Sequence, residues 1–352
     1  MDKHIQELLD GAAVATECAH AASQQELPED WFEDHYIAYA DSLAGACSLQ
    51  DYRIRLVSGD AHIDLLKDGC AVYALPEDKE RFRYSDLKFA ADRMLVRGIN
   101  RFILPAACEN SQAALTDYLQ RMSYLFEGGK SVPQAALLHC EDVLQSGYAG
   151  DPQVTAGALN ESQIGYDIIS SDLFAEYRVD MIYDRLIING NRYQALIVPD
   201  SARITAPVLG FVLAAEETDF PVIFTGQRPS GILGMDVSDA ALMLLADTGT
   251  LTECSGLAAE LVSRGIRDVR LTPVCPDIVS FHYRRENHLY LFLNESADQT
   301  YKGQIYMPGY QEAAVYDAEA NTVLPLSYQR AEKGILADVR IRPRELLTVV
   351  FG

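Results

Sequence analysis

Apolar positions along this chain recur first at helical spacing, then as short buried runs between helices, and finally in strand-like alternation. Ile5, Leu8, Leu9, Ala12 and Ala13 share one helical face, and Trp31, Tyr36, Ala40 and Leu43 continue the pattern beyond Pro28. Residues 1 to about 49 are therefore expected to form two helices. Two strands come next, YRIRLVS (52–58) and GCAVYAL (69–75). The stretch SDLKFAADRMLVRGINRFILPAACE (85–109) then reads as one unit. Ser85 caps a helix whose face carries Leu87, Ala90, Ala91, Met94 and Leu95, Gly98 takes the left-handed position after it, and Phe102, Ile103 and Leu104 form a buried strand.

A second helix over 111–126 presents Leu115, Tyr118, Leu119, Met122 and Leu125 and stops at Gly128-Gly129. Beyond it lie a buried strand AALLH (135–139), a polar loop, a helix over 160–173, and strands in RLIING (185–190) and YQALIVP (193–199). PVLGFVLAAEE (207–217) is helical and PVIFTG (221–226) is a strand, with further helices over 238–245 and 256–264. Alternation of this kind from about 110 to 270 predicts a parallel, doubly wound sheet. After Pro276 the pattern becomes IVSFHYRR, HLYLFLNES, GQIYMP, EAAVYDAEAN and RELLTVVFG, strands separated by turn residues, which predicts an antiparallel sandwich.

The chain has 352 residues, 49% of them hydrophobic, enough for two or three domains. A net charge of −22 argues against nucleic acid and against anionic membrane surfaces, both of which need basic residues. The seven cysteines are widely spaced with no CxxC pair, so they read as reduced, buried side chains rather than a zinc site. The N-terminus lacks the basic and apolar regions of a signal peptide, and no run approaches the roughly 18 apolar residues of a membrane span, so a cytoplasmic location is expected.

Read in order, several segments resemble the C-terminal portion of the α-L-rhamnosidase-like glycoside hydrolases of family 106, and more loosely the β-galactosidases with a flavodoxin-like middle domain. LKFAADRMLVRGINRFIL resembles a late barrel helix and strand of that family. YLQRMSYLFEGGKSVPQAALLH, IGYDIISSDLF, NRYQALIVPDSARITAPVL and PVIFTGQRP resemble its flavodoxin-like domain. FHYRRENHLYLFLNES, AAVYDAEANTVLPL and RELLTVVF resemble its terminal sandwich. The resemblance covers about residues 70 to 352. It implies an α/β chain with a helical and partial (β/α) barrel-like region over 1–109, a flavodoxin-like doubly wound sheet over 110–275 and a β-sandwich over 276–352. It also implies a truncated or divergent relative, because a full barrel takes on the order of 250 residues. The family's glutamate at the end of the strand before the LK helix is replaced here by Val72 or Tyr73, with Glu77 just beyond; where it carries a histidine after GINRFIL, Pro105 stands, with Cys108 and Glu109 next along the chain.

Glycoside hydrolysis uses two carboxylates. Glu77 and Glu109 each come after a probable parallel strand and are the candidate catalytic pair; the ordinary alternative is that both are solvated loop acids among the chain's 51. His139, Cys140 and Glu141 lie at the end of the AALLH strand, but without the GxCxG setting of a nucleophile elbow a structural role is favoured. His282, Arg284, Arg285 and His288 cluster at a hairpin, either gripping sugar hydroxyls or, as favoured, forming an exposed strand face. GQRPSGILG (226–234) lacks nucleotide-binding spacing, Asp167 and Asp172 stand at most one helical face apart, and no cofactor is indicated. The expected function is acid–base hydrolysis of a glycosidic bond, with carbohydrate as the partner molecule; the alternative is a non-catalytic sugar-binding or assembly module. A homo-oligomer or partner subunit would cover the edge of a partial barrel.

Overall fold

Two parallel sheets with different winding precede a pair of antiparallel ones in the computed structural model of the chain. It describes residues 84–103 and 109–352, apart from 127, 141–142, 145, 148–151, 176–178, 189, 235–238 and 310–311, and, before these, helical residues 5–7, 9–10 and 12 and strand segments at 37–38, 55–57 and 71–74. The first sheet holds β1 (Ile37–Ala38), β2 (Arg55–Val57), β3 (Ala71–Ala74) and β4 (Arg101–Ile103). Its strands are all parallel and stand in chain order, β1-β2-β3-β4. Sequential parallel order is the winding of a (β/α) barrel. Strand β1 falls where the periodicity predicts a helix; Trp31, Tyr36, Ala40 and Leu43, which suggest that helix, lie outside the described residues.

Helix α1 (Tyr84–Leu95) begins one residue before Ser85, which lies in its first turn rather than at its cap. Leu87, Ala91, Met94 and Leu95 are buried as the periodicity requires. Gly98 has φ +84° and closes the helix in the left-handed region, with Ile99 donating back to the Met94 carbonyl. Helix α2 (Glu109–Leu125) comes after β4 and buries Leu115, Tyr118, Leu119, Met122 and Leu125.

The second parallel sheet contains β6 (Ala135–His139), β7 (Tyr166–Ser170), β11 (Ala195–Val198), β13 (Val222–Thr225) and β15 (Thr250–Thr252), in the order β15-β13-β11-β6-β7. Numbered along the chain this is 2-1-3-4-5 read from the β7 side, the flavodoxin-type winding that reverses between β6 and β11. One face packs on helix α5 (Ala206–Glu216) and helix α4 (Asp172–Ala175), burying Leu138, Leu196 and Phe224 with Val208, Val212 and Leu173. The other face, with Leu137, Ile168 and Ile197, joins the core beneath α1, α2, helix α3 (Pro152–Glu161) and helix α7 (Leu257–Ser263). Helix α6 (Asp239–Asp247) precedes the edge strand β15. The helix expected over 160–173 is replaced by α3 and β7: Tyr166 to Ile169 are buried at consecutive positions, which a strand covered on both faces achieves and an amphipathic helix does not. A small antiparallel sheet, β8 (Val179–Ile182), β9 (Arg185–Ile188) and β10 (Asn191–Tyr193), fills the β7–β11 connection, and β12 (Arg203–Ile204) pairs in parallel with β14 (Gly231–Ile232).

The C-terminal region is an antiparallel pair of sheets. One is β16 (Arg270–Thr272), β19 (Tyr301–Pro308), β23 (Gly334–Ile341) and β22 (Tyr328–Ala331). The other runs β21 (Thr322–Pro325), β20 (Ala313–Asp317), β24 (Leu346–Phe351), β18 (His288–Asn294), β17 (Ile278–Arg284) and β5 (Lys130–Ser131). Strand β18 shows why this second sheet is a shared layer. Tyr290 and Phe292 enter the core between the two sheets, whereas Leu289, Leu291 and Leu293 enter the core containing α1 and α2. Alternate residues of a strand face opposite sides, so one strand serves two cores. Strand β5, from the connection between α2 and β6, pairs with β17 and completes the same sheet.

Candidate functional site

The C-terminal ends of β3 and β4 are where a (β/α) barrel places its chemistry. These strands are paired in parallel through Val72↔Arg101, Tyr73↔Phe102 and Ala74↔Ile103. Glu109 is the first residue of α2, at the end of the connection leaving β4. Glu77 lies three positions beyond β3, outside the described residues, and the side chain of Glu109 is also outside them.

Helices α1 and α2 are fixed by polar contacts that the hydrophobic pattern does not announce. Asp92 is fully buried, receiving Lys88 Nζ at 2.7 Å and the Tyr118 hydroxyl at 2.5 Å. Burial raises the Asp92 carboxyl above its ordinary range, against the pull of Lys88 and Tyr118. The Tyr118 hydroxyl is raised for the same reason, reinforced by the Asp92 charge. Arg97, 1% exposed, donates to Glu295 Oε1 at 2.8 Å and to the Arg93 carbonyl at 2.8 Å. Tyr84 donates to Glu319, and Arg121 to the Ala318 and Glu319 carbonyls. Both helices are thereby tied to turns of the C-terminal sheet.

A second cleft lies at the ends of β6 and β11, the point where the flavodoxin-type winding reverses and where such sheets bind ligands. His139, Cys140, Asp200, Ser201, Arg203 and Thr205 line it. Its volume is about 30 Å³, one water's share of liquid. His139 and Cys140 are neighbours here; Glu141 lies outside the described residues.

The hairpin histidines do come together, and they are not an exposed face. His282 Nε2 lies 2.8 Å from His288 Nδ1, and His282 Nδ1 lies 2.5 Å from Asp268 Oδ2. The His282 ring stacks on Tyr290, directly opposite it in the β17–β18 ladder, at 4.1 Å between centroids. The His282 side chain is 7% exposed, because the inner sandwich face rather than solvent receives it. Burial, then His282 and Arg284, lower the His288 pKa below its ordinary 6.5. Arg284 and Arg285 are exposed and make no hydrogen bond to this chain of rings among the described residues; Arg285 lies over the Tyr124 ring. Sequence reasoning misses Asp268: it is 14 residues from His282, in the loop before β16, and no spacing marks it.

The remaining candidates separate. Asp167 sits on β7, accepting from Tyr193 and Asn191, and Asp172 opens α4, so they share no helical face. The 226–234 segment is a crossing loop that carries β14, pinned by Arg228 donating to the Thr248 and Gly249 carbonyls. Among the described residues no three His, Cys, Asp or Glu side chains are grouped to hold a metal, and no helix is long and apolar enough to cross a membrane.

No protein-family model and no curated protein matches the sequence. Solved structures do match. A rhamnosidase from Novosphingobium sp. PP1Y matches at 14% identity over 85% of this chain and 34% of its own, with a TM-score of 0.65. α-L-Fucosidase isoenzyme 2 from Paenibacillus thiaminolyticus matches at 11% identity over 88% of this chain and 62% of its own, TM-score 0.53. A GH42 β-galactosidase from G. stearothermophilus matches at 11% identity over 80% and 53%, TM-score 0.53. The chain thus spans about a third of the rhamnosidase and less than two thirds of the others. Its mixed parallel and antiparallel sheets form a glycoside hydrolase-like fold.

Proposed function

We propose that this chain is a carbohydrate-active protein related to the family 106 α-L-rhamnosidases, and that Glu77 and Glu109 are its acid–base pair. The observation that carries the reading is the succession of a barrel-type parallel sheet, a flavodoxin-type sheet and an antiparallel sandwich, matched over 85% of the chain by a rhamnosidase. Within it, Glu77 and Glu109 come after adjacent parallel strands. One carboxyl protonates the departing glycosidic oxygen; the other attacks the sugar or activates water, at a separation of ~5–5.5 Å in a retaining enzyme and ~6.5–9.5 Å in an inverting one.

The test is hydrolysis of aryl α-L-rhamnosides, α-L-fucosides and β-D-galactosides by wild type, Glu77→Gln and Glu109→Gln. Each substitution is expected to lower kcat at least ~10²-fold, the scale of a lost general acid or base. Full activity in both variants refutes the assignment. A second reading is a non-catalytic sugar-binding or assembly module. It predicts an inert wild type that binds the same sugars without turnover.

A further inference from the structure

The end of the β17–β18 hairpin, α2 and the N-terminal helical residues enclose a cavity of about 210 Å³. Its polar lining is Glu7, Arg285, Glu286, Asn287 and His288, and its apolar lining includes Leu125, Leu289 and Phe351. About seven water volumes fit in this space, which is below the ~300–1,000 Å³ of sites for drug-sized ligands. Two carboxylates against one guanidinium make it a poor host for an anion. Closely set acceptors and donors beside an apolar wall match a small ring bearing several hydroxyls.

His288 is the half-buried end of a polar chain that stops at this cavity. The Asp268 carboxylate only accepts, so with both rings neutral Nδ1 of His282 carries its proton toward Asp268 and Nε2 is the acceptor. His288 Nδ1–H then donates to that nitrogen, which leaves Nε2 of His288 with a lone pair. Among the described residues this Nε2 has no hydrogen-bond partner. Tyr290 stacks under His282 and holds the relay in place.

We propose that this cavity binds a single sugar ring, with His288 Nε2 accepting a hydroxyl proton in a hydrogen bond and Asp268 and His282 acting as positioning residues that set its tautomer. The choice of a sugar rests on the carbohydrate reading above; the site itself is separate from Glu77 and Glu109. A hydroxyl donor satisfies the lone pair, the carboxylates accept from neighbouring hydroxyls, and Arg285 and Asn287 donate to the ring's oxygens.

The test is titration of the full chain with methyl α-L-rhamnoside, methyl α-L-fucoside and methyl β-D-galactoside, read by calorimetry and by the imidazole ¹⁵N signals of His288. Wild type is expected to bind at least one of them, with the Nε2 signal moving on addition. Arg285→Ala, at the exposed turn, and His288→Phe should each weaken binding at least tenfold. Asp268→Asn should do the same without touching the sugar, and its free-state ¹⁵N spectrum should show the His288 tautomer preference lost, which a purely structural role would not produce. The Glu77→Gln/Glu109→Gln double variant should keep this binding. Binding lost only in that double variant overturns the site while sparing the proposed catalysis. Binding unaffected by all substitutions, or absent from wild type, overturns it as well.

Discussion

Replacing Glu295 by Gln should damage this protein more than removing the arginine that Glu295 serves. Arg97 has a side chain 2% exposed and Glu295 one 24% exposed, joined at 2.8 Å. Arg97 cannot deprotonate, so without the Glu295 carboxylate its guanidinium stays buried and loses a charge-assisted contact that the neutral amide does not replace. Breaking one side of a buried ion pair costs ~3–5 kcal/mol, and partial exposure of Glu295 places this case near ~3 kcal/mol. At about 2 cal/mol/K of unfolding entropy per residue, the loss corresponds to a fall in Tm of about 4 °C for one cooperative transition. Arg97→Met removes the charge together with its need for a partner and should cost about 1 kcal/mol or less. The double variant should resemble Arg97→Met alone. Urea unfolding monitored by circular dichroism, with all three variants at one pH, decides the matter. The reasoning fails if Glu295→Gln lies within about 0.5 kcal/mol of wild type, or if Arg97→Met is the more damaging change.

Other consequences are as direct. Gly303→Ala should destabilise by about 1–3 kcal/mol, because the new Cβ would run into the Thr272 carbonyl oxygen of the neighbouring strand; an unchanged urea midpoint would contradict the close approach. Phe292→Ala should cost about 3–5 kcal/mol, since Phe292 is fully buried between the two antiparallel sheets, and the loss should appear in near-ultraviolet dichroism of that core. His288 titrates below 6.5 in the folded chain and at its ordinary value when unfolded, so the unfolded state takes the proton first. The stability it contributes is present above pH 6.5 and lost as pH falls through that value towards the lower folded one; His288→Gln should show a shallower loss of urea midpoint between about pH 7.5 and 5.5, and equal slopes would rule the linkage out.

Legibility in the sequence tracks burial. AALLH, YQALIVP and PVIFTG are read correctly because β6, β11 and β13 are covered on both faces and show as unbroken apolar runs. The same property misleads at 164–169, where a buried strand at the sheet edge mimics half a helix, and the three-residue edge strand β15 has no apolar run to find. Strands β1 to β4 are short, and their winding order is a property of pairing that no local pattern encodes. At the hairpin, His282 and His288 are legible as neighbours in a ladder, whereas Asp268 arrives from another sheet's lead-in loop. The polar ties of Asp92, Arg97 and Glu295 are likewise invisible in the sequence, since their partners lie up to 198 residues away.

That distance also orders events in time. On a ribosome adding about 5–20 residues per second, Glu295 emerges about 10–40 s after Arg97. During this interval α1 has neither the Glu295 carboxylate nor the Leu289, Leu291 and Leu293 face that completes its core, and β5 waits a comparable time for β17. Closing such long loops is slow, and the waiting helices present apolar surface meanwhile. The nascent chain therefore passes through a stage in which α1 and β5 lack their late partners, and a synonymous change that slows translation between residues 130 and 278 would lengthen that exposure without altering the finished protein.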